Sequence, residues 1–448
     1  MIFAHAFGAR YDLPVPLLYF VLGGAAVVIV TFLVVLPRPM TPAPSAPAGD
    51  GGYVDPRSPL TAGFGVLLFG FLVGCGLVGS QAIAENILPT VFWLILWIAV
   101  PISCAVVGDW TPWVNPFAAI ARAADRPGLR RVLLGGPQLA WPAWLSWWPA
   151  VLFFFLAASG ELIYNLWATR PIVTAAGLLI YAFLNALGSV VFGAEAWLSR
   201  GEVFSVLYST WGRLGWFRLG RPGRTGFFRG LEQTIEASPA RITMVLLMLM
   251  SVTFDGLLAT PYWKRLELQL PPDFSVGSMR YIILAEAAFI ALLVAAWSLF
   301  GLFSMVVRRL GGLCGDVRGV LANLLPSLIP IAFGYLVAHN LDYLLVNGQL
   351  LIPLVGNPTG RAQWLPAPFN DSYVIHRQPI PPWSIWYLQV GLIVIVHMAA
   401  VVIAHRHLAR RAPDQARARR SEWPWTTAMV GYTMTSLWLL ALPIVKGG

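Results

Sequence analysis

Val151-Leu152-Phe153-Phe154-Phe155-Leu156 is an unbroken apolar run inside a longer apolar stretch, 147–166. A membrane strand facing lipid on one side and a polar lumen on the other alternates in polarity. This run does not, so a transmembrane barrel is ruled out. A segment of about 20 apolar residues has the length of a bilayer-spanning helix. A helix also satisfies every backbone N–H and C=O within the segment, which lipid cannot do. Comparable runs recur at 17–36, 60–80, 90–108, 171–197, 242–260, 281–304, 320–346, 384–405 and 424–444. The expected fold is all-α: a polytopic transmembrane helical bundle of about ten helices, with 1–448 forming a single transmembrane domain.

Composition agrees. Of 448 residues, 58% are hydrophobic and 11% charged, against about 25% charged in soluble domains. The net charge of +10 lies in short loops between apolar runs, not on a soluble basic face that could track phosphates. The partner implied is therefore the lipid bilayer, and no nucleic acid is expected. Cys75, Cys104 and Cys314 form no CxxC and no disulfide framework.

Orientation follows from Lys and Arg, which concentrate on the cytoplasmic side. With the N-terminus outside, the five cytoplasmic loops hold 22 of the 30 basic residues. The expected topology is N-out and C-out, in a multi-pass protein of the cell membrane. It leaves an external N-terminal arm at 1–16, a Pro-rich cytoplasmic linker at 37–59, a basic cytoplasmic loop at 198–240 and an external loop at 347–383. The long flank before the first run argues against a cleaved signal peptide. Asn115-Pro116 reads as an N-cap followed by Pro at the first helical position, opening a short helix up to Ala124 along the inner surface.

Ionisable groups inside membrane helices are costly, about 2.5–3.5 kcal/mol for Asp on insertion scales, and each asks for a reason. Glu161, Asp255, Glu286, His339 and Asp342 all fall within about 6–10 Å of the expected outer end of their helices, at 1.5 Å per residue. Gln389 lies at similar depth, His397 nearer the middle. The inner half offers little beyond Glu195, and His405 and His407 read as interfacial residues of a basic flank. Tyr335, His339 and Asp342, spaced by four and three, share a helix face, as do Glu161 and Asn165. Asn340 and Gln349 add hydrogen-bonding capacity nearby.

Imidazole with carboxylates at such spacings is ligand chemistry for a divalent metal such as Zn. The expected ligands are His339, Asp342 and Glu161, joined by His5 if the N-terminal arm folds over the outer mouth. Asp255, Glu286 and Tyr335 are then the candidate catalytic groups. Without a metal the same residues can relay protons or bind a cation, and polar packing alone is the plainest alternative. No GxSxG, HExxH, P-loop or dinucleotide fingerprint occurs.

His5-Ala6-Phe7-Gly8-Ala9-Arg10-Tyr11-Asp12-Leu13-Pro14 ahead of a membrane helix resembles a family of bacterial membrane proteins labelled fenitrothion hydrolase. So do Ser251-Val252-Thr253-Phe254-Asp255-Gly256-Leu257, Gly334-Tyr335-Leu336-Val337-Ala338-His339-Asn340 and Met429-Val430-Gly431-Tyr432-Thr433. The resemblance implies a membrane-bound phosphotriesterase cleaving a P–O–aryl bond of an apolar small-molecule substrate. It assigns no catalytic residues. The residues themselves support a metal-assisted hydrolase first, and an ion- or proton-coupled carrier second. A scaffold that recruits a partner subunit is a third reading.

Overall fold

The computed structural model describes residues 16–35, 58–221 and 225–442. Among them the chain is helical and contains no strand. His5, the arm 1–16 except Pro16, and the segment 37–59 except Ser58 and Pro59 lie outside the described residues.

In chain order the principal helices are α1 (Leu17–Val35), α2 (Pro59–Val78), α3 (Ile87–Val107), α4 (Pro116–Ala124), α5 (Trp148–Leu162), α6 (Pro171–Phe192) and α7 (Val203–Trp211). There follow α8 (Pro239–Leu258), α9 (Pro261–Gln269), α10 (Met279–Gly311), α11 (Val317–Asn347), α12 (Pro382–Ala409) and α13 (Gln415–Ala441). Eight among the described residues are long and apolar enough to cross a membrane: α1, α2, α3, α6, α8, α10, α11 and α12. The tenfold pattern of apolar runs is completed by α5, which is apolar but short, and by α13, whose first turns carry Arg417, Arg419, Arg420 and Glu422. The chain is a multi-pass helical membrane protein.

The helices gather into two units. The first comprises the described parts of 58–230 and 343–379; the second comprises 16–35, 231–342 and 380–442. In the first unit α4 packs on α2 and α6. Asn115 caps α4 as its spacing predicts, Oδ1 accepting from the amides of Phe117 (2.9 Å) and Ala118 (3.2 Å). The segment 198–240, expected as a loop, contains α7, which is buried against α3 and α5. Gly193, at φ +82°, ends α6 before the predicted boundary, because only Gly adopts that conformation cheaply.

In the second unit α13 packs against α1, α8, α10 and α12. The interior belongs to α8 and α11: over their membrane-spanning windows 78% and 89% of residues are buried. The starts of α8, α10 and α13 are specified locally. Ser238 Oγ accepts from the Arg241 amide at 3.3 Å, Ser278 Oγ from Tyr281 at 3.2 Å and Asp414 Oδ1 from Arg417 at 2.7 Å. Each such cap satisfies a donor that the first helical turn leaves open. Pro326 and Pro330 interrupt the hydrogen-bond ladder of α11. Ser327 sits between them and bonds outward as well as inward: its hydroxyl donates to Leu324 O (2.6 Å) and accepts from Trp425 Nε1 (2.9 Å).

Candidate functional site

Deep in the second unit, His339 Nε2 of α11 stands 2.9 Å from Asp255 Oδ2 of α8. The side chains are 1% and 15% exposed, so this is a buried pair rather than a surface one. The distance is that of an ion pair.

Tyr335 lies one helical turn before His339, its ring edge-on to the imidazole with centroids 6.0 Å apart. It packs with Val252 of α8, Leu439 of α13 and Tyr432. Gly256 makes room for it: a Cβ there would lie 2.5 Å from Tyr335 Oη. Gly334 does the same for α12, where a Cβ would meet Val396 Cγ2 at 2.3 Å. Two glycines thus bring α8, α11 and α12 close enough for their polar groups to meet. The helix α8 runs unbroken through Phe254-Asp255-Gly256-Leu257, so Gly256 serves close approach rather than loosening.

Further polar groups extend this cluster. Tyr432 Oη and Thr253 Oγ1 are 2.5 Å apart. The His397 ring stacks on Tyr432 with centroids 6.5 Å apart, and its Nδ1 lies 2.7 Å from Ile393 O. Gln389 Nε2 donates to Ala338 O at 2.7 Å. Tyr335 Oη, Trp386 Nε1, Gln389 Oε1 and His397 Nε2 are buried with no hydrogen-bond partner among the described residues. A buried polar atom without a partner costs about 1–3 kcal/mol. Trp386 and His397, eleven residues apart on α12, lie about 16 Å from each other along the helix at 1.5 Å per residue, so these atoms are distributed along the bundle rather than gathered at one point.

Of the residues expected at the site, Asp255, His339 and Tyr335 come together. Glu286 on α10 and Asp342 on α11 belong to the same unit and are half-buried. Glu161 belongs to the first unit, where its Oε2 accepts from Trp97 Nε1 at 2.5 Å. Glu161 and Asn165, expected to share one helix face, fall on two elements, because α5 stops at Leu162 and Asn165 opens a separate short turn. Asn340 Nδ2 donates to Leu336 O within its own helix. Gln349 ties down the loop 347–383, donating to His376 O and accepting from His376 N, each at 2.9 Å.

No group of three or more His, Cys, Asp or Glu side chains able to hold a metal ion occurs among the described residues. The Asp255 and His339 donors are already turned on each other. Two donors fall short of the three protein ligands that catalytic zinc keeps, so these residues alone do not fit the expected Zn-type centre.

Sequence reasoning missed a second buried pair. His405 Nδ1 of α12 stands 2.9 Å from Glu422 Oε1 of α13, with side chains 8% and 3% exposed. His407, also read as interfacial, is buried with Nε2 at 2.7 Å from Leu231 O. In the first unit, Glu202 was missed as well. It caps α7, accepting from the amides of Phe204 (3.0 Å) and Ser205 (2.7 Å) and from the Tyr181 hydroxyl (2.6 Å). The Ser205 hydroxyl (2.5 Å) and Asn115 Nδ2 (3.1 Å) complete its shell. With both oxygens bonded, that carboxylate has a structural role.

Compared with known proteins, the chain matches no protein-family model, no curated protein and no solved structure.

Proposed function

We propose that the second unit is a proton-transfer centre built on Asp255, His339 and Tyr335, and that the protein is a proton-coupled carrier of the cell membrane. The observation that carries this reading is the 2.9 Å contact between His339 Nε2 and Asp255 Oδ2 inside the helical bundle. As mere packing the pair is a poor choice, since well-packed apolar residues of similar volume are commonly as stabilising or more so. Buried ionisable groups in membrane helices characteristically serve ion and proton pathways. An imidazole against a carboxylate holds one proton in either of two places, which is what a relay needs.

In the expected N-out, C-out topology the pair lies in the outer half. Asp342, one turn further along α11, and Glu286 on α10 would then lead toward the outer surface. Tyr335, Gln389 and His397 present polar atoms without partners among the described residues, which a proton in transit can use.

One observation favours a second reading. A carboxylate set against an imidazole also orients the ring to take a proton from water. The aryl phosphotriesterase activity implied by the sequence resemblance would use the pair as such a base, with an apolar substrate entering from lipid.

Reconstitution into liposomes with a trapped pH dye separates the two. A carrier moves protons down an imposed gradient, and Asp255→Asn and His339→Ala abolish that movement. Hydrolysis of an aryl phosphotriester by the same vesicles without proton movement would replace the carrier with the hydrolase. Neither activity would leave a scaffold and sink both.

A further inference from the structure

We infer that His405 and Glu422 form a second protonatable site at the opposite end of the same unit, and that its ligand is a proton delivered by water. As the far terminus of a proton route, this site rests on the carrier reading above; as a proton-binding site it stands by itself.

The geometry is that of a built site. Glu422 Oε1 meets His405 Nδ1 at 2.9 Å. Its other oxygen, Oε2, is buried without a hydrogen-bond partner among the described residues. Arginines crowd the sequence here, and three of them face other groups. Arg406 faces Glu232 at 3.5 Å, and Arg410 donates to Glu232 O at 2.7 Å. Arg417 lies 3.4 Å from Asp414 and flanks Gly312, just past the end of α10. From α11 the facing group is Asn323, 3.4 Å from His407 Nδ1, and His407 is spent on Leu231 O. Ser421 bonds back to Ala418 O. Among the described residues His405 is the group bonded to Glu422, so the unbonded oxygen is the place where an added proton sits, and water at the basic end is where it goes on release.

Along α12, Gln389, His397 and His405 are eight residues apart and all buried. That places a titratable or polar group roughly every 12 Å along the helix, at 1.5 Å per residue. His397, at the midpoint, has Nε2 without a partner among the described residues. The two pairs thus lie toward opposite ends of α12, with His397 between them in height.

Infrared difference spectra of the full-length protein in bilayers, recorded across a pH titration, test the site. The expected result is a titrating carboxylic C=O band that disappears in Glu422→Gln and shifts in His405→Gln. A titration unchanged by Glu422→Gln, or no carboxyl band at all, overturns it. Size-exclusion profile and melting temperature check that both variants fold; His405→Gln serves if Glu422→Gln does not. Flux measurements separate the route from the carrier reading. Slowing by on the order of a hundredfold in Glu422→Gln is the loss expected of a proton-transfer group. Intact flux in Glu422→Gln with loss in Asp255→Asn removes the route and leaves the carrier. A Glu422-dependent band without wild-type flux keeps the site and removes the carrier.

Discussion

Gly256 of α8 and the hydroxyl of Tyr335 on α11 occupy adjoining space: a Cβ on Gly256 would fall 2.5 Å from Tyr335 Oη. The absence of a side chain at one residue thus sets the position of the other. Gly256→Ala must displace Tyr335 or separate the helices, an overpacking cost of about 1–3 kcal/mol. Thermal unfolding in detergent should register that loss, and Tyr335→Phe in the same background should recover part of it by removing the offending oxygen. A neutral Gly256→Ala would contradict the close approach.

The Asp255–His339 pair predicts non-additive energetics. Removing one partner of a buried ion pair strands the other and typically costs about 3–5 kcal/mol. Asp255→Ala and His339→Ala should each destabilise by that order, and the double variant by clearly less than their sum. Strictly additive losses in a double-mutant cycle would mean that the two groups do not act on each other.

Much of the architecture was legible because lipid imposes one rule. Every spanning segment must be helical and apolar over its length, so runs such as 60–80 and 384–405 locate α2 and α12 within a few residues. Boundaries failed where polarity and helicity part company. Residues 305–311 continue α10 although Arg308 and Arg309 end the apolar run. The polar stretch around Glu202 hid α7, whose cap is a Glu rather than the usual Ser, Thr, Asp or Asn. Asp255, His339 and Tyr335 were visible because a charge deep in an apolar run has no plain explanation. His405 and Glu422 were not, since Arg406, Arg410, Arg417 and Arg419 surround them in sequence and make the segment read as a solvated flank. Only the packing of α12 on α13 turns them inward.

Glu202 anchors the first unit. Two amides, two hydroxyls and an Asn amide group converge on its carboxylate, which is wholly buried. Glu202→Ala should therefore cost more than the roughly 0.5–2 kcal/mol of an ordinary helix cap, because Tyr181 and Asn115 lose an acceptor together. Asn115→Ala should fall within that ordinary range or just above it. Equal and small losses in calorimetry for both variants would show that the shell is not cooperative.

Topology can be read from one thiol. Cys75 and Cys104 are buried, whereas Cys314, between α10 and α11, is exposed. The N-out, C-out arrangement puts Cys314 in the cytoplasm. A membrane-impermeant maleimide should spare the protein in intact cells and label it in inverted vesicles, with labelling lost in Cys314→Ser. Labelling from outside intact cells would reverse the orientation, and with it the assignment of outer and inner pairs.

The central claim is that Asp255 and His339 bind and release a proton as a coupled unit. Proton uptake by purified protein during a pH jump, read with an indicator dye, tests it most directly. The account predicts that the wild type takes up about one more proton per chain than Asp255→Asn, as expected when one titrating site is removed, and that His339→Gln loses the same increment. Identical uptake in the wild type and both variants would contradict it.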